Sequence, residues 1–367
     1  MRITTTNISG APYERGRAHG HALRTLVQGH VAAWLDSLAQ AKLGDPAAYV
    51  EAMLRGTDFR TATGEHTPGL LDEVDGIADG AEVPRPLLFG LQLLDEEWAW
   101  RARRADAANR LEKCSSLAIV SDGGPTWIGQ NMDLGGYTDG WQALIHIAAD
   151  GETPSALVFT TAGMIGLMGV NAAGVGVCVN SIPQLASASE GVPVAFVVRR
   201  ILQCRTLAQA SDVVRTIPHA TNQHYLVAEP GAARSFEAGA AGVTEYRSPY
   251  ADRVLHTNHP LSEAPAAPEP DAWRRNTAAR LACLDARLGR GEPGLAQIQA
   301  ALSSFDDPYH PVCRLRRPDN SLIGFTTGSM ITALRAPPSP LQSWVSAGPP
   351  SIGGYSAFEV ARDEPRG

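Results

Sequence analysis

Lys113-Cys114-Ser115-Ser116-Leu117-Ala118-Ile119-Val120 is the stretch at which the character of the chain changes. Upstream, residues 101–113 are dense in Arg and present no apolar face, so they read as an exposed connector. Downstream, a β-rich apolar run begins at once. Cys114 therefore stands at a strand start beside cationic residues, which favour the thiolate, the reactive form of the side chain. The competing reading of a lone cysteine is a small buried hydrophobe.

On either side of this junction the periodicity differs. Residues 20–40 carry apolar side chains at helical spacing (Leu23, Val27, Val31, Trp34, Leu38), and a second helix runs from about Pro68 through Leu70, Val74 and Ile77. A third spans 84–100, with Leu87, Leu88, Leu91, Leu94 and Trp98 on its buried face. Beyond Cys114, short β-rich runs at 117–120, 127–130, 143–148, 156–160, 166–170 and 175–179 alternate with turn signals such as Asp122-Gly123-Gly124. Helices at 194–203 and 207–216, strands at 223–228 and 234–238, a helix at 273–289 and strands at 329–334 and 343–346 complete the chain. Helices, then runs of strands, helices and strands again indicate a layered α+β fold and not alternating βαβ units.

Composition narrows the function. The 367 residues are 44% hydrophobic and 19% charged, enough for a sizeable core, and the net charge of -7 offers no basic footprint for nucleic acid or an anionic membrane. Five cysteines (Cys114, Cys178, Cys204, Cys283, Cys313) show no C-x-x-C spacing, which argues against a disulfide framework and a cysteine zinc site. His219 with His224, and His256 with His259, do not fit H-E-x-x-H and read as packed or surface histidines, so neither metal nor cofactor is expected. Residues 153–189 lack any charge over more than the ~20 residues of a membrane span. Five glycines together with Asn171 and Asn180 interrupt that stretch, so a pair of fully buried strands explains it better. Residues 1–10 lack the basic-then-apolar run of a leader, and a cytoplasmic location is expected.

Several fragments, taken in order, carry a resemblance. They are Lys113-Cys114-Ser115-Ser116-Leu117-Ala118, Gly129-Gln130-Asn131-Met132-Asp133, Gly10-Ala-Pro-Tyr-Glu-Arg-Gly16, Gly76-Ile-Ala-Asp-Gly-Ala81, Gly169-Val-Asn-Ala-Ala-Gly174 and His256-Thr-Asn-His-Pro260. Together they resemble the cysteine-type N-terminal nucleophile (Ntn) hydrolases. The branch is that of the isopenicillin N (acyl-coenzyme A:6-aminopenicillanic acid) acyltransferases and the β-alanyl-amine hydrolases; bile-salt hydrolases and penicillin V acylases are more distant.

The resemblance implies a four-layer αββα sandwich, with residues 1–113 a helical N-terminal segment and residues 114–367 the catalytic region. It implies self-cleavage at Lys113–Cys114, leaving Cys114 as nucleophile with its own free α-amine as base. Asp133, nineteen residues on, would orient that amine. Asn258 would supply a side-chain amide to an oxyanion hole, Asn171 a second donor through its backbone N–H, and Arg280 support for the site. Read without the resemblance, Asp133 is an acidic residue after a strand, Asn171 a good turn residue and Arg280 a helical arginine facing water. Cys313-Arg314 resembles a family motif near the substrate pocket, with Cys313 itself a packing residue.

The implied reaction is hydrolysis of a small-molecule amide, or acyl transfer with an amine or thioester acyl partner. The two cleaved pieces would stay associated, and self-association of the whole is left open. A non-processing binding protein on the same scaffold is the rival from another class. One departure bears on it: relatives commonly carry Arg three residues before the Asp, and here that position is Gln130, which cannot lower a thiol pKa by charge.

Overall fold

A computed structural model of the chain describes residues 3–104, 114–268, 270–316 and 324–363. The first segment holds β1 (Thr4–Ile8), α1 (Pro12–Ala22), α2 (Arg24–Gln40), α3 (Pro46–Arg55), α4 (Phe59–His66), α5 (Pro68–Ala81), α6 (Arg85–Leu91) and α7 (Leu94–Ala102). After the junction come β2 (Ser115–Val120), β3 (Thr126–Leu134), β4 (Gln142–Ile147), β5 (Ala156–Thr161), β6 (Met168–Asn171) and β7 (Gly176–Ser181). Then follow α8 (Val194–Ile201), α9 (Leu207–Thr216), β8 (Gln223–Glu229), β9 (Ala232–Gly239), β10 (Gly242–Tyr246) and β11 (Arg253–His256). The chain closes with α10 (Asp271–Leu288), α11 (Leu295–Leu302), β12 (Phe325–Leu334), β13 (Leu341–Ala347) and β14 (Ser356–Val360).

Among the described residues the strands form an eight-stranded sheet, β1-β4-β5-β6-β7-β8-β9-β10, and a six-stranded sheet, β11-β2-β3-β12-β13-β14. Strand β2 shows why its sequence is continuously apolar. Its alternate side chains serve different layers: Ala118 packs between the sheets with Ile128 and Val177, whereas Leu117 and Ile119 pack outward on Leu284, Ile298 and Leu302 of α10 and α11. The sheets meet closely, with the position of a Cβ on Gly176 lying 3.0 Å from Ile128 Cγ2. Helices α8 and α9 cover the outer face of the larger sheet through Val197, Ile201, Ala210 and Val214, all buried. The expected αββα layering is present. Residues 153–189 run through β5, β6 and β7, and no helix among the described residues is long and apolar enough to cross a membrane.

The expectation of a purely helical first segment needs correction. Thr4–Ile8 forms β1, which pairs in parallel with β4 at the edge of the larger sheet. Its sequence, TTTNI, is short and mostly polar, because an edge strand buries little. The helix expected over 20–40 is α2, which starts at Arg24 after a separate helix α1, and the expected third is broken into α6 and α7.

The glycine fragments at 10–16 and 76–81 have a packing explanation. A Cβ added to Gly16 would meet Glu73 O at 1.9 Å, and one added to Gly76 would meet Tyr13 O at 2.1 Å. Helices α1 and α5 therefore touch backbone to backbone. Between them Glu73 is fully buried and is held by Arg15 at 2.8 Å and by Arg199 of α8 at 2.9 Å, which ties three helices at one carboxylate. Removing one partner of such a cluster leaves a buried charge uncompensated.

A second buried carboxyl lies on α7. Glu96 accepts hydrogen bonds from Val194 N (3.0 Å), at the start of α8, and from Thr221 Oγ1 (2.8 Å). Burial, reinforced by neighbouring Asp95, pushes its pKa up to about 7. A carboxyl whose folded pKa is raised contributes its stability below the unfolded value, and that contribution is lost as pH rises through about 7. Unfolding free energy is therefore expected to fall by up to about 3 kcal/mol between pH 5 and 8 on account of this group. Glu96→Gln should flatten that slope, as read by urea titrations at the two pH values.

Candidate active site

Cys114 immediately precedes β2 and is 7% exposed. Pairing of Ser115 with Asn131 and of Ser116 with Gln130 fixes the register of β2 on β3. Strand alternation then divides the neighbourhood in two. Ser116 and Gln130 face the larger sheet, the side to which Cys114 also belongs by alternation. Consistent with this, Cys114 contributes to the upward shift of the buried Cys178 thiol on β7, after burial itself. Ser115, Asn131 and Asp133 face the opposite way, toward α10 and α11, where Asn131 donates to Leu302 O at 2.7 Å.

Arg280 of α10 is buried completely, contrary to its reading as a solvated helical arginine. Its Nη1 donates to Cys114 O (2.6 Å) and Ser115 Oγ (2.8 Å), its Nη2 to Asn258 Oδ1 (2.8 Å), and its Nε to Asn276 Oδ1 (3.1 Å). One planar fork thus ties the start of β2 to the loop after β11. Burial lowers its pKa to about 10, opposed by the negative charges of Asp133 and Cys114, so it stays protonated at neutral pH.

Asp133 is buried at the end of β3 and accepts from Thr326 Oγ1 at 2.6 Å. Thr326 lies at an irregularity of β12, where the register slips between Thr326 and Gly328, and its hydroxyl also accepts from Arg314 N at 2.8 Å. Irregularities of this kind re-aim side chains beside sites. Asn258 is also buried: its Nδ2 donates to Ser181 O (2.9 Å) and its backbone N–H to Thr277 Oγ1 (2.8 Å). Cys114, Asp133, Asn258 and Arg280 therefore come together. Lys113 lies outside the described residues.

Asn171 does not join them, and its expected role is corrected. Its backbone N–H bonds Val175 O at 2.9 Å, and its side chain donates to Leu202 O and Cys204 O at 2.9 and 2.6 Å. The turn it begins lies at the Gly176 end of β7. Gly176 packs on Ile128, and Ile128 pairs with Ala118, four residues along from Cys114, or ~13 Å at strand rise. Asn171 is a turn residue that pins the β6–β7 hairpin to the α8–α9 connection.

The other end of β7 carries an amide that sequence reasoning passed over. Asn180 is fully buried; its Oδ1 accepts from Ser116 Oγ at 2.7 Å, and its Nδ2 has no hydrogen-bond partner among the described residues. The signal was present in the sequence as a polar amide ending an apolar strand, a residue type that needs partners when buried. Arg314, which follows Cys313, is a second such residue. Its Nη1 is buried without a hydrogen-bond partner among the described residues, and its charge is felt by Arg280.

Gln130 has an occupation of its own. Its Nε2 donates to Val179 O and its Oε1 accepts from Val179 N at 2.9 Å, so the amide clamps the two sheets together. The cation that a relative would carry there is absent, and Arg280 is the buried cation beside Cys114. Cys313 is buried, with Sγ 3.2 Å from Ser351 Oγ. Of the four histidines weighed in the sequence, His219 donates to Val214 O, His259 Nδ1 lies 3.0 Å from Thr277 Oγ1, and His224 and His256 stack on each other.

The sequence of residues 120–321 matches the family model described as acyl-coenzyme A:6-aminopenicillanic acid acyl-transferase. The chain belongs to that family. A curated relative, the 40 kDa form of acyl-coenzyme A:6-aminopenicillanic-acid acyltransferase of Emericella nidulans, is 26% identical over 277 residues, 73% of each chain. Among solved structures, conjugated bile acid hydrolase of Clostridium perfringens is similar with 14% identity and a TM-score of 0.47, covering 67% of this chain and 92% of that one. Penicillin V acylase of Agrobacterium tumefaciens is similar with 15% identity and a TM-score of 0.34, covering 68% and 86%. The family is one of acyl-transferases.

Proposed function

We propose that the chain is a self-processing, cysteine-dependent amidohydrolase and acyltransferase acting on a small-molecule amide. In the precursor, Sγ of Cys114 attacks the Lys113 carbonyl, and an N-to-S shift breaks the peptide C–N bond as a thioester forms. Water then hydrolyses the thioester, which releases the Lys113 carboxylate and restores the thiol. Cys114 keeps a free α-amine, whose ordinary pKa of about 7.7–8.0 suits a general base near neutrality.

In turnover that amine takes the thiol proton, Sγ attacks the acyl carbonyl, and the proton passes to the departing amine as the tetrahedral intermediate collapses to an acyl-enzyme. Water resolves it to an acid; an amine acceptor resolves it to a new amide. The oxyanion of the intermediate needs donors fixed in advance, and the amides of Asn180 and Asn258 are the side-chain donors assigned here. Arg280 holds the Cys114 backbone, and Asp133 orients the α-amine. Arg314 Nη1, which has no hydrogen-bond partner among the described residues, suits an anionic group on the substrate, such as the carboxylate of 6-aminopenicillanic acid.

The observation that carries this reading is the convergence of one buried guanidinium on Cys114 O, Ser115 Oγ and Asn258 Oδ1. The anchor fixes the backbone from which the Cys114 thiol projects. Processing would leave the first piece attached, because β1 pairs with β4 and Val27, Trp34, Leu38, Ile77 and Phe89 share a core with the later residues.

Intact mass is the test. Two pieces, the larger beginning at Cys114, are expected; one unprocessed chain whose Cys114 resists alkylation would instead make this a binding protein. Supplying an acyl-coenzyme A thioester with and without 6-aminopenicillanic acid then separates transfer from hydrolysis, transfer being the outcome the Emericella relative's name favours. Asp133→Asn is expected to slow both processing and turnover about 100-fold while the chain still folds. Unchanged rates would remove Asp133 from the mechanism.

A further inference from the structure

Behind Asn180 lies a buried polar stack that the mechanism above does not use. His224 of β8 places Nδ1 2.9 Å from Asn180 Oδ1 and Nε2 2.8 Å from Ser235 Oγ. The ring of His256 lies on it, with centroids 3.7 Å apart and planes 8° from parallel. His256 Nδ1 faces Thr257 O at 2.9 Å and its Nε2 faces Glu237 Oε1 at 3.0 Å. Glu237 in turn accepts from Leu261 N, Ser262 N and Ser262 Oγ. His224, His256 and Glu237 are all buried.

Counting protons settles the network. Both nitrogens of His256 face oxygens that only accept, so both carry hydrogen and the ring is an imidazolium paired with Glu237. A second positive ring cannot stand at stacking distance in the same dry pocket. Burial and His256 together drive the pKa of His224 well below its ordinary value. A neutral imidazole has one N–H. With that hydrogen on Nδ1 it donates to Asn180 Oδ1, and Nε2 accepts from the Ser235 hydroxyl. The Asn180 carbonyl, already accepting from Ser116 Oγ, is then held by two donors, and its NH2 group is left facing away from them.

We propose that His224 is a positioning residue that locks the Asn180 amide with its N–H bonds toward the acylation site, and that the Glu237–His256 ion pair fixes His224 in the form able to do so. This rests on the reading of Asn180 as an oxyanion donor. Turned over, the same amide would present its carbonyl oxygen to the developing negative charge. The device thus chooses between a donor and a repulsive acceptor at one position.

The test uses the processed enzyme, with active sites counted by intact mass and p-nitrophenyl acetate as the acylating probe. His224→Leu is expected to lower the acylation kcat about 10- to 100-fold with KM little changed. Alkylation of Cys114 by iodoacetamide should keep its rate, since displacement at a saturated carbon forms no oxyanion. His224→Asn, which keeps an N–H near the Nδ1 position, should stay within about threefold of wild type. The double variant Asn180→Ala/His224→Leu should be no slower than Asn180→Ala alone.

Multiplying losses in the double variant, or a parallel loss of alkylation in His224→Leu, would overturn the inference. So would wild-type acylation by His224→Leu alongside a slowed Asn180→Ala. Wild-type acylation by Asn180→Ala would remove the oxyanion reading itself, and this inference with it. Should the leucine variant not fold, His224→Gln, whose amide reaches the Nε2 position and not Nδ1, takes its place with the same expected loss.

Discussion

Cys114→Ala is expected to emerge as a single uncleaved chain of 38.9 kDa, with turnover at the background rate. Both effects follow from one atom. On the mechanism proposed above, Sγ is the attacking group in the acyl shift and in substrate acylation, so its removal leaves no second route to either. Removing a nucleophile of this kind costs on the order of 10⁴-fold or more in kcat. The substitution takes away one sulfur from a site that is 7% exposed, and the strand register set by Ser115 and Ser116 does not depend on it. The unfolding transition should therefore stay close to that of the unprocessed wild type. A cleaved, active alanine variant would move the chemistry to another residue.

Arg280→Leu has the next largest expected effect, and it acts on stability and rate together. The side chain makes four hydrogen bonds and carries the positive charge opposite Asp133 at full burial. Leucine would leave Asn258 Oδ1 and Cys114 O without these donors and Asp133 without that opposing charge. Removing one partner of a buried charge pair costs about 3–5 kcal/mol, which urea titration will read directly. Turnover per processed site should fall about 100-fold, because misplacing a reacting group by roughly 1 Å costs that much. Arg280→Lys should recover part of the stability and little of the rate: it restores a charge but not the planar fork. A lysine variant with wild-type kcat would show that the charge alone matters.

Legibility of the fold from sequence followed burial. Helix α9 spans Leu207–Thr216, as its spacing indicates, and Thr206 caps it by accepting from Gln209 N. The strands after Cys114 were readable because burial on both faces makes them continuous apolar runs. What escaped had weak signals. β1 and β10 are partly exposed edge strands, and β11 has only four residues. α1 owes its place to glycines, which weaken a helix by propensity yet permit its contact with α5.

Within the site, residues with two demands on them were the hardest to read. Asp133, Asn258 and Arg280 lie around Cys114. Asn171 was misplaced because a turn asparagine and an oxyanion-hole asparagine look alike in a string; only the pairing of β6 with β7 shows which end of the hairpin faces Cys114. Gln130 looked like a degraded position, and its two bonds to Val179 show a residue occupied with joining the sheets.

The parallel pairing of β1 with β4 bears on how the two pieces of the proposed processed form would come together. Scission at Cys114 would divide a molecule whose sheet edge is already laid down, so the resulting heterodimer never passes through an encounter between separate subunits. Its assembly is then independent of concentration, and a denaturing gel should display two bands where gel filtration displays one peak. Chains of residues 114–367 produced alone would lack that edge strand and leave the backbone N–H and C=O groups along β4 unpaired, so the first segment would act as a built-in template for its larger partner.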